Sequence, residues 1–207
     1  MTWPTALPMV AILRGITPPE AAAHARVLLD AGFDAIEVPT NSPDWAESVR
    51  AIVAVAPRAL VGAGTVLEDA HLESLIATGG RLAVSPHTDV GLIATSVARG
   101  LIAIPGAMTP SEVFAAVRAG ATAVKIFPAN TLGPAHVKAL RAVLPATLPL
   151  LAVGGVSPAN LGDYLRAGCA GAGLGSELYR PGQAPEVTAR QAAAFVAAFR
   201  ASSVPNA

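Results

Sequence analysis

The chain has 207 residues, 53% of them hydrophobic, and that length suffices for one domain with a full core. Fourteen Lys and Arg balance fourteen Asp and Glu, so no electrostatic footprint for nucleic acid or an anionic membrane exists and any anionic ligand must be held locally. Cys169 is the one cysteine, which excludes a disulfide scaffold and a thiolate zinc site; with no cationic segment ahead of the apolar run Met9 to Leu13 to suggest export, a reducing cytoplasm is the expected home.

Short apolar runs alternate with Ala-rich helical patterns along the whole chain at intervals of roughly two dozen residues, the sign of repeated βα units. Strands are predicted near Val10 to Leu13, Ala35 to Val38, Leu60 to Ala63, Leu82 to Val84, Ile102 to Ile104, Ala123 to Ile126, Leu150 to Val153 and Ala170 to Gly173. Helices are predicted near Pro18 to Ala31, Asp44 to Val55, Glu68 to Thr78, Val90 to Ala98, Pro110 to Ala119, Ala135 to Leu144, Pro158 to Ala167 and Ala189 to Ala201. Thr17-Pro18, Ser42-Pro43, Thr109-Pro110 and Ser157-Pro158 each place a capping hydroxyl before a proline at a helix start. Gly32, Gly79, Gly100, Gly120 and Gly168 stand where helices must stop in the left-handed region.

Strands joined through helices in this order must be parallel. Eight such units fit an α/β fold of the closed (β/α)8 TIM-barrel type, one domain over residues 1–207; an open doubly wound sheet is the alternative. Gly171-x-Gly173-x-Gly175 falls one residue short of a dinucleotide fingerprint and lies in the last unit, which disfavours a nucleotide-binding version. The mean hydropathy is +0.53, and Ala142 to Gly162 carries no charge. Pro145, Pro149, Gly154, Gly155 and Pro158 interrupt that stretch, so it cannot form one membrane-spanning helix.

In a barrel the chemistry collects at the C-terminal strand ends, here Arg14, Glu37, Thr65, Pro86-His87, Pro105-Gly106, Lys125-Ile126-Phe127, Gly154-Gly155 and Gly175-Ser176. Lys125, one of two lysines against twelve arginines, sits in the apolar run Ala123 to Phe127. A desolvated, neutral amine there would attack a carbonyl and form a Schiff base; a strand-end lysine that snorkels to water is the plainer reading. The other lysine, Lys138, falls on the polar face of a helix. Glu37 in Ala35 to Pro39 is either a general acid/base with a raised pKa or a partner in a salt bridge to an arginine.

Arg14 could grip a carboxylate with two hydrogen bonds or pair with Glu37. Thr65, following Gly62-Ala63-Gly64, offers a hydroxyl beside a backbone that glycine opens to a ligand. Gly154-Gly155, leading into Ser157-Pro158, and Gly175-Ser176 present N–H groups suited to a phosphate. Of His24, His71, His87 and His136, only His87 follows a strand, so no metal site is expected; Cys169 reads as a small packed residue.

Several runs together resemble the class I 2-keto-3-deoxy-6-phosphogluconate/galactonate aldolase family: Ala11 to Ile16, Glu37-Val38-Pro39 with Asn41-Ser42-Pro43, Val61 to Val66, Lys125 to Pro128, Ala152 to Val156 and Ala170 to Ser176. The resemblance covers essentially the whole chain. It implies that Lys125 forms the imine and Glu37 shuttles protons, with Arg14 and Thr65 on the pyruvyl carboxylate. Gly154, Gly155, Gly175 and Ser176 would then hold the phosphate, and Phe127 and Val153 would contact substrate. It further implies a phosphorylated sugar acid and pyruvate as ligands, no cofactor and a homotrimer. Arg14, and Val153 where gluconate-type members carry Thr, point to the galactonate branch; the loop Ser85-Pro86-His87 departs from the family pattern.

Overall fold

The computed structural model describes residues 3–203. Its elements run β1 Met9–Ile12, α1 Pro18–Asp30, β2 Ala35–Pro39, α2 Trp45–Val55, β3 Leu60–Gly64, α3 Asp69–Ala77, β4 Leu82–Val84 and α4 Val90–Ala98. They continue with β5 Ile102–Ile104, β6 Gly106–Ala107, α5 Pro110–Arg118, β7 Val124–Ile126, α6 Ala129–Arg141, β8 Leu150–Val153, α7 Leu161–Arg166, β9 Gly171–Leu174 and α8 Pro185–Ser203. All strand pairs are parallel, in the order β5-β4-β3-β2-β1-β9-β8-β7-β6.

Nine strands appear where eight are predicted: β5 is the predicted fifth run, and β6, just past Pro105, is a further two-residue piece the sequence reading does not predict, Pro105 having no N–H to carry a ladder between them. The two pieces stand at opposite ends of the sheet order. Strand β7 bridges them: Thr122 N donates to Ala103 O at 3.0 Å, Lys125 N to Pro105 O at 2.9 Å and Phe127 N to Ala107 O at 3.2 Å. The result is a nearly closed barrel of parallel strands with interleaved helices. Among the described residues no helix is long and apolar enough to cross a membrane.

The period-two alternation of the strands divides the core into two layers. Val10, Ile12, Ala35, Leu60, Leu82, Val84, Ile104, Ala123, Leu151 and Val153 fill the barrel interior. Their strand neighbours, such as Ala11, Ile36, Val61, Val124 and Ile126, pack outward with the helices. Strand β9 turns glycine inward, and a Cβ on Gly173 would lie 2.9 Å from Val153 Cγ2. Gly171-x-Gly173-x-Gly175 therefore makes room in the barrel rather than a nucleotide turn.

Local signals hold where the partner is local. Thr17 donates its amide to the Glu20 carboxylate at 3.2 Å and Thr109 does the same to Glu112 at 2.8 Å, closing capping boxes on α1 and α5. All five predicted stop glycines have positive φ. The other two proline caps do not form. Ser42 Oγ instead accepts the Gly15 amide at 2.9 Å, and α2 starts three residues later after Asp44 in the left-handed region. Ser157 N is taken by Asn160 Oδ1 at 2.8 Å, so α7 begins at Leu161 and not at Pro158. Helix α6 begins six residues earlier than predicted, with a break at Gly133 (φ 74°, ψ 166°) that seats Pro134 at the head of its second part. Helix α8 likewise starts early, at Pro185, ahead of the Ala-rich repeat.

Candidate active site

The inward set of β2 is Ala35 and Glu37, and that of β7 with the residue before it is Ala123 and Lys125. Register thus sends one carboxyl and one amine into the same apolar lumen. Glu37 is 2% exposed and Lys125 7%, and among the described residues they are the two buried side chains of formal charge. Lys125 does not snorkel to solvent, whereas Lys138 is exposed on α6.

The environment sets both titrations. Burial pushes the Glu37 carboxyl up to about 7, with the positive charges of Lys125 and Arg14 drawing it partly back. Burial also lowers the Lys125 amine; the Glu37 charge raises it and the Arg14 charge lowers it further. The Lys125 Nζ lies 4.9 Å from the centroid of the Phe127 ring, a face that favours a cation. Glu37 forms no ion pair with arginine among the described residues, and its Oε2 is buried without a hydrogen bond. A buried acceptor left open in this way is costly in a finished core and useful in a reaction site.

Gly64 makes that carboxyl possible. A Cβ at this position would fall 2.1 Å from Glu37 Oε2, and one at Gly62 would fall 1.9 Å from the Leu82 carbonyl. The expectation that these glycines open the backbone to a ligand is corrected: protein atoms fill both faces.

At the mouth, Arg14 Nη1 donates to Asn41 Oδ1 at 2.6 Å and Nη2 lies 3.5 Å from Thr65 Oγ1, so Arg14 turns to the neighbouring loops rather than to Glu37. Opposite stand Gly154 (φ 100°), Gly155 (φ 68°), Gly175 and Ser176. A Cβ on Gly175 would meet nothing within 4 Å, so this glycine faces open space. Leu178 N and Tyr179 N both bond Gly175 O, at 2.8 and 2.9 Å; in such a helical turn the first N–H groups, here those of Ser176 and Glu177, have no acceptor inside the turn. No helix start at Pro158 adds N–H groups here, since α7 begins at Leu161.

All ten predicted site residues, Arg14, Glu37, Thr65, Lys125, Phe127, Val153, Gly154, Gly155, Gly175 and Ser176, border one cavity of about 170 Å³. A family model described as "Aldolase: KDPG and KHG aldolase" matches residues 4–191. The chain belongs to the KDPG and KHG aldolase family. It is 53% identical over 201 residues to 2-dehydro-3-deoxy-6-phosphogalactonate aldolase of Escherichia coli (strain K12), covering 97% of this chain and 98% of that protein. A solved structure described as native KDPGal matches with a TM-score of 0.96 at 53% identity, covering 98% of each chain. A chain from a cube-shaped, highly porous protein cage designed by fusing symmetric oligomeric domains matches with a TM-score of 0.93 at 53% identity, covering 96% of this chain and 74% of that one.

Other residues in or beside this cavity are not singled out as site residues by the sequence. Ile12 and Gly173 line the cavity two residues below Arg14 and Gly175, where counting back by the strand period would have found them. Glu177 also lines it, with its carboxylate 3.7 Å from Arg180, and Arg180 Nε is held on Ser176 O at 3.0 Å; no pattern in the chain announces this pair. Asn41 belongs to a run that carries the family resemblance, but its link to the site is legible only through its bond to Arg14. Among the described residues no group of three or more His, Cys, Asp or Glu could hold a metal. Cys169 is buried away from the cavity, its thiol pushed up to about 12 by burial.

Proposed function

We propose that this aldolase-family chain cleaves 2-dehydro-3-deoxy-6-phosphogalactonate to pyruvate and glyceraldehyde 3-phosphate through a Schiff base on Lys125. The observation that carries the reading is the pair at the bottom of the cavity: a desolvated amine and a buried, hydrogen-bond-free carboxyl with a pKa near 7. Neutral Lys125 adds to the C2 ketone, and loss of water leaves a protonated imine. Glu37 as carboxylate accepts the C4 hydroxyl proton while the C3–C4 bond breaks and its electron pair flows to the imine nitrogen. The aldehyde leaves, the resulting enamine takes a proton at C3, and hydrolysis frees pyruvate and the neutral amine.

The cationic imine forms where the Phe127 ring faces the nitrogen, which favours its positive charge. Arg14 and Thr65 hold the pyruvyl carboxylate, and Gly154, Gly155, Gly175 and Ser176 take the phosphate on backbone N–H groups. That grip is remote from the breaking bond, so its binding energy orients the reacting carbons. The imine is itself the electron sink, so the scheme uses neither metal nor cofactor.

Val153 on the cavity wall offers no hydrogen bond to a C4 hydroxyl, and the 53% identical relative is named for the galactonate substrate. Cleavage of the two C4 epimers side by side is expected to favour the galactonate compound by roughly tenfold or more in kcat/KM, the scale of one altered pocket contact. A preference for the gluconate epimer, or for 4-hydroxy-2-oxoglutarate, would overturn the assignment.

The same proposal counts the nine strands as eight βα units of a closed (β/α)8 barrel in one domain, since β5 and β6 are one run divided by Pro105. It also includes a homotrimer, supported by the exposed apolar side chains Ile76, Val90 and Val97 on α3 and α4 and Met108 ahead of α5, and by the symmetric oligomeric domains of the matching cage. Sedimentation at three chain masses is the expected result; a monomer at micromolar concentration would remove the trimer.

A further inference from the structure

Three consecutive residues after β2 reach sideways to the neighbouring strand ends. Thr40 donates from Oγ1 to the Thr65 carbonyl at 2.6 Å, Asn41 Oδ1 accepts from Arg14 Nη1 at 2.6 Å, and Ser42 Oγ accepts from the Gly15 amide at 2.9 Å. Thr40 N also donates to Gly64 O at 2.8 Å. The exits of β1 and β3 are thereby tied to the strand that carries Glu37.

We propose that Asn41 is a positioning residue that aims Arg14 at the substrate carboxylate, within a clamp in which Thr40 and Ser42 fix the backbone at positions 65 and 15. This rests on the carboxylate-holding role given above to Arg14 and Thr65, and it names what makes that role possible.

The need for a clamp is physical. Arg14 is exposed, so no packing selects a rotamer for its long side chain, which is free to scatter unless something holds the guanidinium. Asn41 engages one of the five guanidinium N–H groups and leaves a fork for a two-point grip on a carboxylate. Thr65 has φ 56°, an uncommon conformation for a β-branched residue, and the Thr40 hydroxyl bonded to its carbonyl holds it there. With both turns fixed, Thr65 Oγ1 and Arg14 Nη2 stay 3.5 Å apart, close enough to share one anion. Asn41 does not line the cavity, so its effect on substrate passes through Arg14.

The test uses the full-length protein with Asn41→Ala, Arg14→Ala and the double variant, and pyruvate as the probe. Half-saturating pyruvate is read from borohydride inactivation, and kcat from aldol cleavage at saturating substrate. Asn41 is exposed, so its replacement is expected to leave the thermal midpoint in place. Asn41→Ala should raise half-saturating pyruvate about tenfold, the scale of one hydrogen bond to a charged group, with kcat changed by less than about twofold. On the Arg14→Ala background the same substitution should add less than about twofold. Equal effects of Asn41→Ala with and without Arg14, or an unchanged pyruvate requirement in Asn41→Ala beside a raised one in Arg14→Ala, would overturn the proposal. An unchanged requirement in Arg14→Ala would instead remove the carboxylate role of Arg14, and the proposal with it.

Discussion

Lys125→Ala is expected to abolish borohydride trapping of pyruvate and to lower aldol cleavage on the order of 10⁵-fold or more, the scale on which a covalent nucleophile is lost. The chain has a built-in control, because its other lysine, Lys138, is exposed on α6 while Lys125 is 7% exposed in the barrel lumen. An amine in water is protonated at neutral pH and does not add to a ketone; burial lowers the Lys125 amine and so makes the neutral form easier to reach. Lys125→Arg should be as inactive as the alanine variant, since a guanidinium keeps its proton and cannot form an imine. Because the folded amine titrates below its ordinary value, wild-type trapping should weaken as pH falls through that lowered pKa. Pyruvate found on Lys138 by mass spectrometry, or trapping retained in Lys125→Ala, would remove the central assignment.

How much of this was legible beforehand depends on how far apart the cooperating atoms lie in the chain. The capping boxes at Thr17 and Thr109 close over three residues, and the sequence shows them directly. Ser42-Pro43 carries the same pattern and fails, because its hydroxyl is recruited by the Gly15 amide on another strand exit. Lys125 could be singled out since an amine in a β-branched run is an energetic conflict visible in six residues. The lodging of Glu37 against Gly64 could not, as it needs the register between β2 and β3. The fifth strand, Ile102–Ile104, is legible as an apolar run that stops at Pro105, whereas β6 beyond it is two residues long and too short to show a period of its own. Asn41 stands in the sequence only as part of the run Asn41-Ser42-Pro43 that carries the family resemblance; what the exposed amide does becomes legible when Arg14 is seen to bind it.

Glu37→Gln should lower turnover by roughly 10²-fold or more, the usual contribution of a positioned acid/base, while imine formation with pyruvate persists. The two effects separate because the Glu37 charge raises the Lys125 amine; removing that charge leaves the amine still more readily neutral. Cleavage needs Glu37 ionised, so the wild-type rate should fall with decreasing pH around an inflection near 7, and the glutamine variant should lack that limb. Stability supplies an independent reading with a definite sign. The folded-state pKa of about 7 lies above the ordinary 4.5, so the folded protein holds a proton that the unfolded chain has lost between those values. The contribution of Glu37 to stability is therefore complete below pH 4.5 and is lost as pH rises through about 7. Glutamine has no proton to lose, so the variant should gain stability relative to wild type between pH 5 and pH 8 while remaining nearly inactive. A variant equally destabilised at both pH values, or a surviving rate inflection near 7, would show that the carboxyl is neither strained by burial nor the group that takes the proton.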